Sequence, residues 1–204
     1  MPETPISGIK AIVFARYPIM TSSLRSVCVF CGSRPGINPS YAAAARDVGG
    51  LIAQHDWRLV YGAGDVGLMG EVARAAQTAG ALSLGVIPVH LMAREQGKRD
   101  LTTLIITENM HERKKVMFMN SDAIVVMPGG AGSLDEFFEV LTWAQIGLHS
   151  KPIFLLNTEN YWEPLMFLID HVIEQGFADA SLRGHFVVVN DAYELTAGLL
   201  AAFE

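Results

Sequence analysis

Residues 128–136 combine a glycine-rich turn with the start of a predicted helix, reading Pro-Gly-Gly-Ala-Gly-Ser-Leu-Asp-Glu. The three glycines let the backbone take positive φ and approach a ligand closely. If Ser133 starts the helix, backbone N–H groups and the positive end of the helix dipole meet at one point, which favours an anion. The alternative is a tight strand–helix turn without a ligand, but the turn is denser in glycine than that geometry requires. The segment therefore predicts a phosphate site, built from Gly129, Gly130, Ala131, Gly132 and Ser133.

Glu136, at the end of this segment, has two candidate roles. Ser133 and Glu136 have the S-x-x-E spacing of a capping box, in which the carboxylate accepts a hydrogen bond from the N–H of Ser133. On sequence grounds alone this structural role is favoured. A carboxylate beside a phosphate site could instead bind ribose hydroxyls or stabilise positive charge that develops on a sugar.

Residues 110–114, Met-His-Glu-Arg-Lys, are predicted to begin a helix after a strand at residues 103–107. Arg113 offers a planar fork for phosphate or ribose oxygens, and Lys114 offers a mobile point charge. Such a charged run is ordinarily a solvated helix face. Its expected place on the same sheet edge as residues 128–136 favours a ligand site instead.

The hydrophobic pattern alternates between short strand-like runs and longer helical ones along the whole chain. Strands are predicted at residues 27–31, 58–61, 82–87, 103–107, 123–127, 153–156 and 186–189, and helices at 41–54, 68–79, 112–120, 134–147, 161–175 and 192–203. Asn38 and Asp191 are in place to cap two of these helices. The pattern predicts an α/β fold with a single doubly wound, mostly parallel sheet and helices on both faces, Rossmann-like, over residues 26–204. Residues 1–25 are expected to form an N-terminal extension.

Three glycine-bearing segments, residues 31–33, 61–67 and 128–133, directly follow predicted strands. In doubly wound sheets ligands bind outside the carboxyl ends of the strands, where the strand order reverses, so these segments are expected to gather at one edge. Ser33 and Gly64 are therefore further candidates for ligand contacts. Residues 62–67 match G-x-G-x-x-G, but they follow the second strand and no acidic ribose partner stands about 20 residues on. The match therefore favours a mononucleotide loop with close helix–strand packing over NAD binding.

The amino-acid composition limits the classes of partner that the chain is expected to bind. Fifteen basic and twenty-one acidic residues give a net charge of −6 with no basic stripe, which excludes a general nucleic-acid binder. No apolar run approaches the ~20 residues of a membrane span, and no signal-peptide pattern opens the chain, so the expected compartment is cytoplasmic. Cys28 and Cys31 form a lone CxxC in an apolar run, which favours core packing over redox or metal chemistry. We predict no metal and no cofactor.

Residues 110–114 and 128–136 together resemble the paired motifs MHxRK and PGGxGTxxE of the Lonely Guy (LOG) family. These are the cytokinin riboside 5′-monophosphate phosphoribohydrolases, which are often mislabelled as lysine decarboxylases. The similarity extends over nearly all of the chain after residue 25. There are two departures: Ala63 stands where the family often has glycine, and Ser133 replaces the usual threonine while keeping a hydroxyl.

The resemblance implies hydrolysis of the N-glycosidic bond of an adenosine-type 5′-monophosphate to free base and ribose 5-phosphate. By the same resemblance, Glu136 binds ribose hydroxyls and stabilises the oxocarbenium-like transition state, and Arg113 orients the nucleotide and helps the base depart. It places Lys114 near the nucleotide and Glu95 in contact with it, and it implies a homodimer with active sites near the interface.

Two points stay open at this stage. A non-catalytic nucleotide sensor on the same scaffold is the alternative to an enzyme, since a fold alone does not determine chemistry. The preference between an N6-prenylated nucleotide and AMP, and any oligomer beyond the dimer, depend on side chains that the pattern does not locate.

Overall fold

A computed structural model describes residues 24–92, 97 and 100–204, and these form one seven-stranded sheet in which neighbouring strands run parallel. The strands are β1 (Ser26–Phe30), β2 (Arg58–Tyr61), β3 (Ser83–Pro88), β4 (Thr103–Thr107), β5 (Ala123–Val126), β6 (Ile153–Leu156) and β7 (Val187–Val189). Their order across the sheet is β4-β3-β2-β1-β5-β6-β7. The predicted doubly wound, Rossmann-like α/β fold is confirmed.

Six α-helices of the described residues connect and cover these strands. They are α1 (Pro39–Gln54), α2 (Gly67–Thr78), α3 (Met110–Met119), α4 (Ala131–Gln145), α5 (Glu163–Glu174) and α6 (Ala192–Phe203). The sequence prediction started α3 two residues and α4 three residues too late. Both errors fall where a cap residue, rather than the apolar pattern, determines the first turn of the helix.

The sheet separates two hydrophobic cores, because successive side chains of a strand point to opposite faces. In β1, Val27 and Val29 face the core covered by α1, α2 and α6. Cys28 and Phe30 face the core covered by α3, α4 and α5. All five residues of β1 are buried, as a central strand of a parallel sheet should be.

The predicted helix caps form as the sequence indicated. The Asn38 side chain accepts a hydrogen bond from the N–H of Ser40 at 3.0 Å, and a proline occupies the first position of α1. The Asp191 side chain accepts from the N–H of Glu194 at 2.9 Å at the start of α6. Each cap satisfies a backbone donor that the first helical turn leaves without a carbonyl partner.

The strand order reverses between β1 and β5, because β1 pairs with β2 on one side and with β5 on the other. Just beyond the carboxyl end of β1, the N–H of Gly32 donates to the carbonyl of Pro128 at 3.0 Å, and the carbonyl of Gly32 accepts from the N–H of Leu68 at 3.0 Å. Because Leu68 directly follows residues 61–67, these two bonds bring all three glycine-bearing segments together. The prediction that they gather at one edge of the sheet is confirmed, at the point where such sheets bind ligands.

The packing of α1 on α2 depends on Gly49, and Gly50 beside it supplies a matched control. A Cβ at Gly49 would meet the carbonyl oxygen of Val72, and would lie 2.7 Å from the Cβ of Ala75 and 2.8 Å from the N of Ala76. At Gly50, an added Cβ meets no heavy atom of the described residues within 4 Å.

We therefore expect Gly49→Ala to lower the free energy of unfolding by about 1–3 kcal/mol, as overpacked cores do. Gly50→Ala should raise it by up to about 1 kcal/mol, because alanine has the better helix propensity. Urea denaturation of both variants measures the difference. Equal midpoints for the two variants would show that α1 and α2 are not packed this closely.

Candidate active site

A cavity of about 480 Å³ opens at the carboxyl ends of β1 and β5, within the size range of small-molecule sites. Its walls come from the segment after β1, the start of α2, the start of α3, the turn after β5 and Tyr161. The sheet edge thus brings together side chains that lie more than 100 residues apart in the sequence. The cavity coincides with the reversal of strand order described above.

The turn after β5 forms one wall, and α4 begins earlier in it than the sequence predicted. The first helical residue is Ala131 and its N-cap is Gly130, so Ser133 is the third residue of the helix and does not cap it. The capping-box role predicted for Ser133 and Glu136 is therefore wrong. Glycine serves as an N-cap, so the helix can begin at the glycines themselves.

The early start places the first-turn N–H groups of α4, which lack carbonyl partners within the helix, beside the cavity. The dipole of α4 adds partial positive charge at the same end. All five residues predicted to form the phosphate site line the cavity: Gly129, Gly130, Ala131, Gly132 and Ser133. Their place supports the prediction that this turn holds an anion.

Gly129 is needed for close packing inside the turn. A Cβ there would meet the Oγ of Ser133, and it would lie 2.7 Å from the Cβ of Ser133 and 3.0 Å from the N of Gly32. A side chain at position 129 would therefore push the turn away from both the first helical turn and the segment after β1. The glycine is a steric requirement here as well as a source of flexibility.

Glu136 lines the cavity and is 9% exposed. It lies three residues after Ser133 on α4, and residues at that spacing share one face of a helix. The carboxylate is therefore carried by the same rigid element that supplies the anion-binding N–H groups. A phosphorylated sugar that bound the helix start would have a carboxylate one turn away.

Arg113 also lines the cavity and is 4% exposed. Its Nε donates to the carbonyl of Val86 in β3 at 3.1 Å, and its Nη2 donates to the carbonyl of Gly62 after β2 at 2.8 Å. These bonds fix the guanidinium at the ends of two strands. Because a guanidinium carries five N–H donors, one group can serve the scaffold and the cavity together.

Two local features place Arg113 there. Asn109 caps α3, since its side chain accepts from the N–H of Glu112 at 2.9 Å, and this sets the helix phase that turns Arg113 inward. Gly62 then leaves room for the guanidinium, because a Cβ at Gly62 would collide with the Nη2 of Arg113 and lie 2.9 Å from its Cζ. The first glycine of the G-x-G-x-x-G match thus leaves space for a side chain of the cavity wall.

Lys114, in contrast, is placed away from the cavity, whose described lining residues do not include it. Its ammonium forms ion pairs with Asp135 at 2.9 Å and Glu139 at 3.1 Å, both on α4. Burial alone would lower the pKa of Lys114, but the hydrogen bonds to these carboxylates outweigh it and raise the pKa above its ordinary value. The position indicates that Lys114 links α3 to α4 through salt bridges. A substrate contact for Lys114 stays only a prediction.

The other three residues predicted to contact the ligand differ in their position relative to the cavity. Ser33 is exposed and lines the cavity. Gly64 is buried and is not among the described lining residues. Glu95 lies outside the described residues. Ser33 thus remains a candidate, whereas the position of Gly64 gives its predicted contact no support.

Two tyrosines and three apolar side chains of the cavity were missed by the sequence analysis: Tyr41, Tyr161, Leu68, Met69 and Leu91. None belongs to a motif of charged or glycine residues, so their types carried no signal of a site. Tyr161 directly follows the short 3-10 helix after β6, and its place next to a strand end was the available clue. Only the fold brings them beside the phosphate turn.

Cys28 and Cys31 are both buried. Burial raises the pKa of the Cys28 thiol well above its ordinary value, and the nearby Glu136 carboxylate adds to the effect. A thiol held in its neutral form is a poor metal ligand or nucleophile, so the core-packing interpretation of Cys28 is supported. Within residues 24–92, 97 and 100–204, no group of three or more His, Cys, Asp or Glu side chains could hold a metal ion.

Comparison with known proteins adds independent evidence. The family described as "Possible lysine decarboxylase" matches residues 69–199. A cytokinin riboside 5′-monophosphate phosphoribohydrolase of Rhodococcoides fascians is 44% identical over 168 residues, which cover 82% of this chain and 85% of that protein. A probable enzyme of the same name from Oryza sativa subsp. japonica is 42% identical over 88% of this chain and 78% of its own length.

The chain belongs to the LOG family. An Arabidopsis thaliana member named as a cytokinin riboside 5′-monophosphate phosphoribohydrolase is 42% identical, over 87% of this chain and 83% of its own length. The family resemblance inferred from residues 110–114 and 128–136 is thereby confirmed. Ala63, where the family often has glycine, takes φ of +57°, a left-handed conformation that glycine adopts more readily.

Solved structures support the LOG-family fold at a greater distance. The molybdenum cofactor binding protein of Rippkaea orientalis has a TM-score of 0.69 at 18% identity, over 90% of this chain and all of that one. The Moco carrier protein of Chlamydomonas reinhardtii has a TM-score of 0.67 at 22% identity, over 88% of this chain and 97% of that one. At such identities the likeness concerns the fold alone.

Replacing Lys114 distinguishes a structural salt bridge between α3 and α4 from a ligand contact. We expect Lys114→Met to lower the free energy of unfolding by about 1–2 kcal/mol, because Glu139 loses its partner while water screens the more exposed Asp135. Lys115→Met, at the exposed neighbouring position, should stay within about 0.5 kcal/mol of wild type. Chemical denaturation at neutral pH measures both changes.

The Lys114 effect should also depend on pH. Because its folded-state pKa lies above the ordinary value of 10.5, the stabilisation is complete below that value and is lost as the pH rises through the folded-state pKa. Unchanged stability at neutral pH together with loss of phosphate binding would instead identify Lys114 as a ligand contact.

Proposed function

We propose that this chain is a hydrolase that cleaves the N-glycosidic bond of adenosine 5′-monophosphates, N6-modified or plain, releasing the free base and ribose 5-phosphate. The observation that carries the proposal is the cavity at the strand-order reversal, which places the start of α4, the Glu136 carboxylate and the Arg113 guanidinium around one space. Relatives that are 41–44% identical over most of the chain carry the name of this activity.

The reaction needs one water molecule and no other co-reactant. The bond between the anomeric carbon of ribose and the base nitrogen breaks, and its electron pair leaves with the base. The water oxygen then bonds to the anomeric carbon and loses one of its protons to a proton acceptor. The nitrogen of the departing nucleobase gains a proton. As in other glycoside hydrolyses, positive charge develops on the sugar ring in the transition state.

The start of α4 would bind the 5′-phosphate. Backbone N–H groups there are fixed donors, and the helix dipole favours the dianion without a lysine or metal. A phosphate held there would also orient the attached ribose relative to Glu136, because Glu136 lies further along the same helix. Orientation of this kind supplies a large part of many enzymatic rate enhancements.

Glu136 would bind ribose hydroxyls and stabilise the positive charge of the oxocarbenium-like transition state. A carboxylate that is only 9% exposed acts in a low-dielectric environment, where its field on a nearby cation is stronger than in water. Because the side chain is fixed before the reaction, little reorganisation is needed when the charge appears. This is the role that the structure favours now that the capping-box role is excluded.

Arg113 would orient the nucleotide and assist departure of the base. Its bonds to the carbonyls of Val86 and Gly62 hold the guanidinium rigidly at the cavity wall, so that it need not be ordered by the ligand.

The homodimer and the cytoplasmic location remain proposals. Exposed apolar side chains, Met119, Ile146 and Leu148, lie at the C-terminal ends of α3 and α4, and such residues favour an interface between subunits. No helix in the part of the chain that the structure describes is long and apolar enough to cross a membrane.

The activity is tested by chromatographic detection of free base from AMP and from N6-isopentenyl-AMP. Wild type should release base, and Glu136→Gln should lower kcat by at least about a hundredfold, as loss of a charge-stabilising group does. Glutamine keeps the size of the side chain, so the unfolding temperature should change little. The ratio of the two wild-type rates gives the substrate preference.

Two outcomes would contradict this proposal. If wild type binds nucleotide tightly but releases no base from either compound, the protein is a nucleotide sensor. If Glu136→Gln retains full activity, the carboxylate does not stabilise the transition state and another group must do so.

Gly62→Ala tests Arg113 without changing any charge. The added Cβ would occupy the space of the Arg113 guanidinium, so we expect kcat/KM for AMP to fall at least about tenfold while the chain still folds. Gly184→Ala is the control, because its Cβ meets no heavy atom of the described residues within 4 Å. Equal kcat/KM values for both variants would show that the position of Arg113 does not matter for the reaction.

A further inference from the structure

The segment between β6 and α5 holds an unusual backbone conformation beside the cavity. Glu159 and Asn160 are consecutive, neither is glycine, and both take left-handed φ angles, of 55° and 58°. Such conformations are unfavourable for most residues with a Cβ; asparagine adopts them more readily, whereas at Glu159 the surrounding contacts must impose them. They cluster at functional sites, and here the next residue is Tyr161, which lines the cavity.

Hydrogen bonds hold this segment both before and after the two residues with left-handed φ angles. The N–H of Asn157 donates to the carbonyl of Val189 in β7 at 2.7 Å, and the side chain of Asn157 accepts from the N–H of Trp162 at 2.7 Å. Asn157 and Trp162 are both buried. The two ends of the segment are therefore fixed to the sheet and to each other, which determines where Tyr161 projects.

The ring of Tyr161 is held between two aromatic neighbours. It meets Tyr41 edge-on, with centroids 5.5 Å apart, and Trp162 edge-on, with centroids 4.7 Å apart. From this position its hydroxyl donates a hydrogen bond to the carbonyl oxygen of Gly129 at 2.6 Å. Tyr161 is 36% exposed, and its ring contacts direct the hydroxyl at the first glycine of the turn after β5.

The bond matters because of where it falls on the turn. The carbonyl of Gly129 and the N–H of Gly130 belong to one planar trans peptide unit, so holding the oxygen fixes the direction of that N–H. Gly130 is the N-cap of α4. Three glycines give this turn more backbone freedom than residues with a side chain would, so ordering it only when a ligand binds would weaken the binding.

We propose that Tyr161 is a positioning residue that orients the phosphate-binding turn through its bond to Gly129. Tyr161 does not itself contact the reacting bond; it fixes the peptide that presents the N–H of Gly130. The proposal rests on the proposed function only for the identity of the phosphorylated ligand, since the anchoring applies to any phosphate at the start of α4.

The test compares Tyr161→Phe with wild type and with Tyr193→Phe. The first variant removes the hydroxyl and keeps the ring between Tyr41 and Trp162. The control removes a hydroxyl from Tyr193, which is 83% exposed on α6. Titration calorimetry with inorganic phosphate and with ribose 5-phosphate gives Kd, steady-state assays with AMP give KM and kcat, and thermal unfolding gives Tm.

We expect Tyr161→Phe to raise Kd for both anions about three- to tenfold, the range that one lost hydrogen bond produces. KM for AMP should rise by a similar factor, kcat should stay within about twofold, and Tm should change little. Tyr193→Phe should match wild type in every measurement. A purely structural role would instead lower Tm and leave the affinity of the folded protein for phosphate unchanged.

Three results would overturn the proposal: unchanged Kd for both anions in Tyr161→Phe, a fall in kcat with unchanged KM and Kd, or no binding of either anion to wild type. Failure of the proposed function gives a different result. If wild type releases no base but Tyr161→Phe still binds both anions more weakly, the enzyme assignment fails and the positioning role of Tyr161 stands.

Discussion

The two backbone hydrogen bonds of Gly32 are the constraint on which the site depends. One fixes the segment after β1 to the turn after β5, and the other fixes it to the start of α2. The glycines of these segments approach so closely that side chains would separate them: a Cβ at Gly67 would collide with the backbone of Ser33, and one at Gly129 would lie 3.0 Å from the N of Gly32. The cavity is what remains between loops that are held this tightly.

The charged residues of the site are divided between binding and structure in a way that their types do not reveal. Arg113 and Lys114 are adjacent in sequence, yet the first lines the cavity and the second binds Asp135 and Glu139 outside it. Asp135 in turn is adjacent to Glu136. The salt bridges of Lys114 therefore join α3 to α4 next to Arg113 and Glu136, whose relative position the proposed chemistry requires.

The sequence by itself determined much of this protein, because parallel sheets and helix caps have strong local signals. Near-continuous apolar runs predicted the seven strands, and the 3.6-residue pattern predicted the helices between them. Asn38 and Asp191 marked two helix starts correctly. Glycine-rich segments after strands indicated one shared edge, since the carboxyl ends of parallel strands lie on the same side of a sheet. Residues 110–114 and 128–136 carried the family resemblance.

Tertiary structure decided the roles of individual side chains. The S-x-x-E pattern at Ser133 predicted a cap, but Gly130 starts the helix earlier, because glycine is accepted at the N-cap at a cost of only a few tenths of a kcal/mol relative to serine. Lys114 lies outside the cavity because its ammonium pairs with Asp135 and Glu139, carboxylates 21 and 25 residues later on α4. Tyr161 enters the cavity because bonds from Asn157 impose a strained backbone before it. Contacts between distant segments are set by packing, which local sequence patterns do not encode.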